Sequence, residues 1–302
     1  MSPIQQFLAT LALTAMWSPS FLFIKLALQG LSPVGLVWAR VTLAALMLWL
    51  MLKVRGQVMP KQGSFWKHMF GMAFFSSVMP FCLLSFAGQS IDSSTSAMIN
   101  ASSPVFTALL SQVFLPQDRL SLSRIVGISM SLLGLFWLLG PGKSLASDEA
   151  SLGIMAACMA SCSYGLSHVY AKKFITGIAP FVAPTAQMIA SSLILWPLVT
   201  VFEGYQQFWT ASTSALLSVG CLAFFGTFLA FSLYYRVLED CGATSISMVA
   251  CFFPIGSMIL GTLFLNEHLS FQKVMAAVLI LTGGMVVNEV ITLKRFLKTK
   301  PS

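Results

Sequence analysis

Two stretches decide the fold: 73-AFFSSVMPFCLLSF-86 and 223-AFFGTFLAFSLYY-235. Phe74-Phe75 align with Phe224-Phe225, Phe81 with Phe231 and Leu83 with Leu233, all at an offset of 150. The register continues outward, since Met98 meets Met248 and Pro104 meets Pro254 at the same offset. Upstream the offset is 147: Lys25 meets Lys172, Pro33 meets Pro180, Leu46 meets Leu193 and Trp49 meets Trp196. Downstream it is 149, pairing Leu120 with Leu269, Ser121 with Ser270, Leu132 with Leu281 and Gly134 with Gly283. Leu and Phe recur by chance in apolar sequence, but prolines, a Lys and a Trp in one register mark an internal repeat. The halves are 1–145 and 146–302.

Composition supplies the solvent. Of 302 residues, seventeen are Lys or Arg and nine are Asp or Glu, 9% in all, while 57% are apolar. Soluble domains carry roughly 25% charge. A soluble enzyme, a disordered chain and a secreted disulfide scaffold are excluded, because too few charges exist to hydrate a surface. The six cysteines lie in or beside apolar stretches without metal-site spacing and read as small buried hydrophobes. No metal or cofactor is implied.

A membrane helix needs about 20 apolar residues. Ten stretches qualify: 6–28, 33–53, 68–90, 93–115, 121–140, 152–173, 179–202, 213–235, 243–265 and 271–292. The longest loop, after the second, has about fifteen residues, so no extramembrane domain is expected. The first span lacks a basic leader and reads as a retained helix. The predicted fold is an all-α integral membrane protein. Five spans per half is an odd number, so the second repeat enters the membrane inverted. Inverted repeats are an architecture of secondary transporters.

Basic residues orient the chain. With the N-terminus cytoplasmic, inside segments hold thirteen Lys and Arg (53, 55, 61, 67, 119, 124, 172, 173, 236, 294, 295, 298 and 300) and outside segments hold two, Lys143 and Lys273. Both termini are then cytoplasmic. The net charge of +8 reports topology rather than a nucleic-acid partner. The tail Lys294-Arg295-Phe296-Leu297-Lys298 suits anionic lipid headgroups.

Trp17-Ser18-Pro19-Ser20-Phe21 leading to Lys25, Arg40 followed by Val-Thr-Leu-Ala, and Asn266-Glu267-His268-Leu269-Ser270 opening the last span resemble the EamA type of the drug/metabolite transporter superfamily over essentially the whole chain. Two departures are Pro19, where the family more often has Ser or Asn, and Asp118, where a glutamate commonly opens the fifth span. The resemblance implies a bacterial inner-membrane secondary transporter. Its expected role is export of small polar metabolites such as amino acids by alternating access around a midplane cavity. The alternative is a lipid or lipophilic-drug translocator of the same fold. An intramembrane enzyme would need a catalytic constellation, and no HEXXH, G-x-S-x-G, P-loop or paired intramembrane carboxylates are present. Partners are a small-molecule substrate and the bilayer, the chain being a monomer or homodimer.

Candidate transport residues are the polar groups near mid-span, since lipid satisfies no hydrogen bond. Thr14, Trp17/Ser18, Phe21 and Lys25 share a helix face, as do Ser161, Tyr164/Gly165, His168 and Lys172 in the second half. Both faces line a cavity, or else glue helices together. Arg40 lies roughly 10 Å into the second span at 1.5 Å per residue. It binds a substrate anion, or snorkels or serves helix ends. Gln187 is its neutral repeat equivalent. Asn100 is a polar reader or a cap. His168 is a proton relay or a satisfied polar side chain. Pro104 and Pro254 are candidate hinges with freed carbonyls. Lys25 and Lys172 are snorkelling anchors or cavity groups. Tyr234, Tyr235, Trp66 and Trp209 fit the aromatic belts. Glu267 and Asp118 suit the N-termini of the tenth and fifth spans, with Ser270 and Ser121 as N-caps. Gly127, Gly134, Ala276, Ala277, Gly283 and Gly284 suit close packing within the chain or across a dimer.

Overall fold

A computed structural model describes residues 3–115, 121–140, 147–175, 177–179 and 181–288, without the side chains of 3, 238–248, 250 and 251. Asp118, Arg119, Lys143, Pro180, Glu289 and the basic tail lie outside the described residues. Among the latter, all regular structure is helical. Eight helices are long and apolar enough to cross a membrane: α1 (Ile4–Ala27), α2 (Pro33–Val54), α3 (Gly63–Ser90), α4 (Ser93–Phe114), α5 (Leu122–Leu139), α6 (Asp148–Phe174), α7 (Val182–Glu203) and α8 (Thr213–Val237). Two shorter apolar helices follow, α9 (Phe252–Leu265) and α10 (Phe271–Val287). The chain is an all-α membrane protein of about ten helices.

The helix starts carry the expected chemistry. Ser121 and Ser270 accept hydrogen bonds from the Arg124 and Lys273 amides at 3.2 and 3.3 Å, as N-caps do. Boundaries differ where polar residues sit in the first turn. α3 begins at Gly63 rather than 68, which brings His68 into a membrane helix and shortens the preceding loop.

Two long-range pairings establish that the second half is inverted. On α5 and α10, an added Cβ at Gly127 would meet Val287 N at 2.6 Å, and one at Gly134 would meet Ile280 N at 2.9 Å. Ascending one helix means descending the other, so these equivalents cross antiparallel. α2 and α7 do the same: Thr42 meets Ser192 at 2.7 Å, and Arg55 lies over Phe181 at 5.4 Å. Repeats related by an axis along the membrane normal would place equivalents parallel. Ser131 also donates to the carbonyl of Ile280, its own repeat equivalent, at 3.3 Å, which puts the pseudo-twofold axis between them. The small residues of α5 and α10 are used inside the chain, because Gly127, Gly134 and Gly283 each face the partner helix within van der Waals contact.

Several spans are interrupted. α1 runs as Pro3–Trp17 and Ser20–Ala27, broken at Ser18-Pro19. α4 runs as Ser93–Asn100 and Ser103–Phe114. Pro104 sits in the first turn of the second piece, where its missing N–H costs nothing. Equivalent π-helical turns occupy Phe74–Val78 in α3 and Phe224–Leu229 in α8. Pro254, by contrast, lies inside a helix that continues through it. The backbone is helical throughout Ala230–Leu265. Yet Trp17 touches both Phe231 and Phe253, which a straight helix would hold roughly 33 Å apart. The chain therefore turns back between α8 and α9.

Candidate functional site

The interruptions converge on one cavity of about 100 Å³. It is lined from α1, α2, α3, α4, α6, α8 and α9, and therefore by both halves. Among the candidates, Trp17, Arg40, Asn100, Tyr164, His168 and the hinge residue Pro104 face it.

Arg40 is buried, at 3% exposure. Its Nε donates to Thr227 Oγ1 at 2.8 Å and its Nη2 to the Gly226 carbonyl at 3.3 Å. The guanidinium carbon lies 4.0 Å from the centre of the Phe81 ring, a cation–π contact. Thr227 Oγ1 donates in turn to the Leu222 carbonyl at 2.9 Å. The Gly226 carbonyl also accepts from Trp17 Nε1 at 2.9 Å. The π-turn of α8 thus supplies acceptors to both site residues. Snorkelling is excluded by this geometry: Arg40 is buried, hydrogen-bonded to α8 and lines the cavity. No carboxylate among the described residues lies within ion-pair reach of Arg40, and none lines the cavity.

The internal repeat reproduces this device without charge. Gln187 Nε2 donates to Ser77 Oγ at 2.7 Å, as Arg40 donates to Thr227, and Ser77 is the equivalent of Thr227. The Gln187 carbonyl oxygen accepts from Tyr235 OH at 2.6 Å. Fully buried and hydrogen-bonded at both ends of its amide, Gln187 does not line the cavity. Its expected place there is corrected: the second-half site was closed by a tyrosine where the first half has Ser85.

Three further expectations are corrected. Ser18 is buried against Gly256, where an added Cβ would meet Ser18 Cβ at 2.5 Å, so it serves the α1–α9 crossing and not the cavity. Pro254, the other hinge candidate, is buried in α9 and does not line the cavity. Tyr234 and Tyr235 are not belt residues; both are buried, and Tyr234 lines the site. Glu267 does not serve the dipole of its own helix. Asn266 turns the chain with a φ of 53°, and the Glu267 carboxylate accepts from the Ser93 and Ser94 amides at 2.6 and 3.1 Å. It caps α4 in the other half.

The remaining candidates have plain environments. His168 Nδ1 meets Thr107 Oγ1 at 3.3 Å. Lys25 is half-buried and Lys172 exposed. Trp209 is 87% exposed, as a belt residue would be, whereas Trp66 is half-buried and donates to the Pro60 carbonyl. Ser20, Phe81, Ser103, Phe231 and Phe253 also line the site and were missed. Trp17 packs edge-on against Phe231 and Phe253 at 6.1 and 5.8 Å. The repeat pairing of Phe81 with Phe231 was the one sequence signal that pointed to them. Two buried polar atoms, Ser20 Oγ and Asn100 Oδ1, have no partner among the described residues.

An inverted repeat of about ten helices around a cavity lined by both halves, with a buried Arg that has no carboxylate partner among the described residues, fits a membrane transporter scaffold. A sequence model of the EamA-like transporter family matches residues 6–140 and again 151–288. The chain belongs to this family. It is 21% identical over 287 residues to the transporter YoaV of Bacillus subtilis, covering 93% of this chain and 95% of that one. It is 24% identical over 262 residues to the inner membrane transporter YedA of Escherichia coli, covering 87% and 83%. A solved crystal structure superposes with a TM-score of 0.72 at 20% identity, over 99% of this chain and 100% of the other, which confirms the fold.

Proposed function

We propose that the protein is a secondary transporter that exports small polar metabolites carrying an anionic group, such as amino acids or related compounds, by alternating access. The observation that carries this reading is Arg40. A buried cation without a carboxylate partner is expensive in a membrane interior. A substrate carboxylate at the cavity would supply the missing countercharge as a charge-assisted hydrogen bond. The unpartnered Asn100 Oδ1 offers an acceptor to a substrate N–H.

Contacts between halves support a cycle with an outer gate. Ser32 Oγ donates to the Glu203 carboxylate, and the Ser32 amide to Gln207 Oε1 at 2.9 Å. Glu267 caps α4, and Lys273 pairs with Asp92. All three clusters join the first half to the second on the face that the basic-residue count places outside. A described state closed outward leaves the cytoplasmic side for loading. The reading takes the chain as a bacterial inner-membrane protein with both termini cytoplasmic, which the excess of basic residues in the inside segments supports.

Counterflow in proteoliposomes with a metabolite panel tests the function. Counterflow of an amino acid, but not of phosphorylated sugars, is expected. Absence of counterflow with every solute, from folded protein, refutes the reading. A periplasmic reporter signal from a fusion after Arg55 would refute the orientation.

A further inference from the structure

A second concavity opens on the flank of the bundle between α1 and α8, with about 460 Å³ of space. Its walls include Ala12, Ala15, Cys221 and Phe225, and it ends at Ser20 and Gly226. Ala15 and Phe225 are exposed on this flank, and exposed residues at mid-span face lipid. The groove exists because alanines stand on α1, the helix breaks at Ser18-Pro19, and Gly226 in the π-turn has no side chain.

Behind the groove lies the cavity. Ser20 lines both spaces. An added Cβ on Gly226 would meet Ser20 Oγ at 2.9 Å and Arg40 Nη2 at 3.4 Å. The partition between lipid and the Arg40 guanidinium is thus one residue thick, and its buried hydroxyl, Ser20 Oγ, has no partner among the described residues. Among the described residues Arg40 is the only formal charge on the cavity wall, which is otherwise rich in aromatic and aliphatic side chains.

We propose that this groove is a lateral portal for a membrane-borne monoanion. The head group pairs with Arg40, and the apolar tail lies along the groove in contact with the bilayer. A single cation with no acidic partner selects one negative charge, and an apolar channel from lipid to that cation selects an amphiphile. The proposal rests on the Arg40 cavity being the transport site.

The test uses the full chain in proteoliposomes and two probes. One is radiolabelled octanesulfonate, whose charge persists at any working pH and so does not cross lipid as a neutral acid. The other is an amino acid that the protein carries in the metabolite panel. Ala15→Trp fills the groove from its lipid side without touching the cavity; Ala12→Trp serves if the first variant fails to fold. The wild-type protein is expected to carry both probes. The groove variant is expected to lose octanesulfonate counterflow by about tenfold while amino acid counterflow stays within about twofold. Octanesulfonate counterflow at the wild-type rate in both groove variants overturns the portal. So does a wild-type protein that carries the amino acid but not octanesulfonate. A wild-type protein that carries neither probe overturns the transport reading itself, and the portal with it.

Discussion

Replacing Arg40 by Gln separates the two roles that its geometry combines. In the folded protein Arg40 makes one short hydrogen bond, at 2.8 Å to Thr227, one long one, at 3.3 Å to Gly226, and a ring contact with Phe81. Hydrogen bonds to a charged group contribute about 1.5–3 kcal/mol each. The glutamine amide replaces one of them at most. Against this loss, removing the guanidinium abolishes a desolvation cost of several kcal/mol. The two terms are of similar size and opposite sign, so the stability of the empty protein changes by no more than about 2 kcal/mol. Substrate binding has no such offset. Truncating one member of a buried, hydrogen-bonded charge pair costs about 2–5 kcal/mol, or roughly thirtyfold to several-thousandfold in affinity. The assay is paired: thermal unfolding of purified protein in detergent, and concentration dependence of amino acid counterflow. Near-normal unfolding with a large rise in half-saturation is expected. A half-saturation within about threefold of wild type, in folded Arg40→Gln protein, would refute the anion-site argument.

The repeat offers a control, since Thr227→Val and Ser77→Ala remove equivalent hydroxyls. The first unpins Arg40 and is expected to weaken half-saturation by about tenfold at ~1.5 kcal/mol or more. The second leaves Gln187 unsatisfied and is expected to lower unfolding temperature without altering half-saturation. Glu267→Ala exposes two α4 amides and is expected to cost about 1–3 kcal/mol in chemical or thermal unfolding. Ser270→Ala, which removes only the cap of α10, costs about 1 kcal/mol; equal effects would contradict the cross-half cap. In Gly283→Val a Cβ would stand 2.3 Å from Ser131 Oγ and 2.6 Å from Ser131 N. Backbone cannot yield cheaply there, so a loss of at least about 1–3 kcal/mol is expected, read as lower yield of monodisperse protein on gel filtration.

Lipid as solvent, about ten membrane helices, the repeat and its inversion were all legible before any coordinates. Each follows from one-dimensional quantities: charge frequency, the length of apolar runs, the spacing of prolines and aromatics, and the parity of spans per half. Periodicity also placed Trp17 and Tyr164 on inward faces, because a 3.6-residue repeat fixes which side chains share one side of a helix. Arg40 could be singled out because a charge within an apolar run has few tolerable environments.

Which foreign helix each face meets was decided only in three dimensions. Arg40 and Gln187 are equivalent in the repeat, yet Tyr235 donates to Gln187 while no tyrosine among the described residues hydrogen-bonds Arg40. Ser18 and Trp17 are neighbours in sequence, yet Ser18 packs on Gly256 while Trp17 lines the cavity. Tyr234 reads as an interfacial aromatic in one dimension and is buried because α8 and α9 fold back around Trp17. Glu267 sits in sequence beside one helix and caps another from the opposite half. The periodicity of a helix determines its own faces. Contacts between halves depend on the rotation and crossing of helices about 150 residues apart in the repeat register, and those are set by packing, which no single stretch of sequence contains.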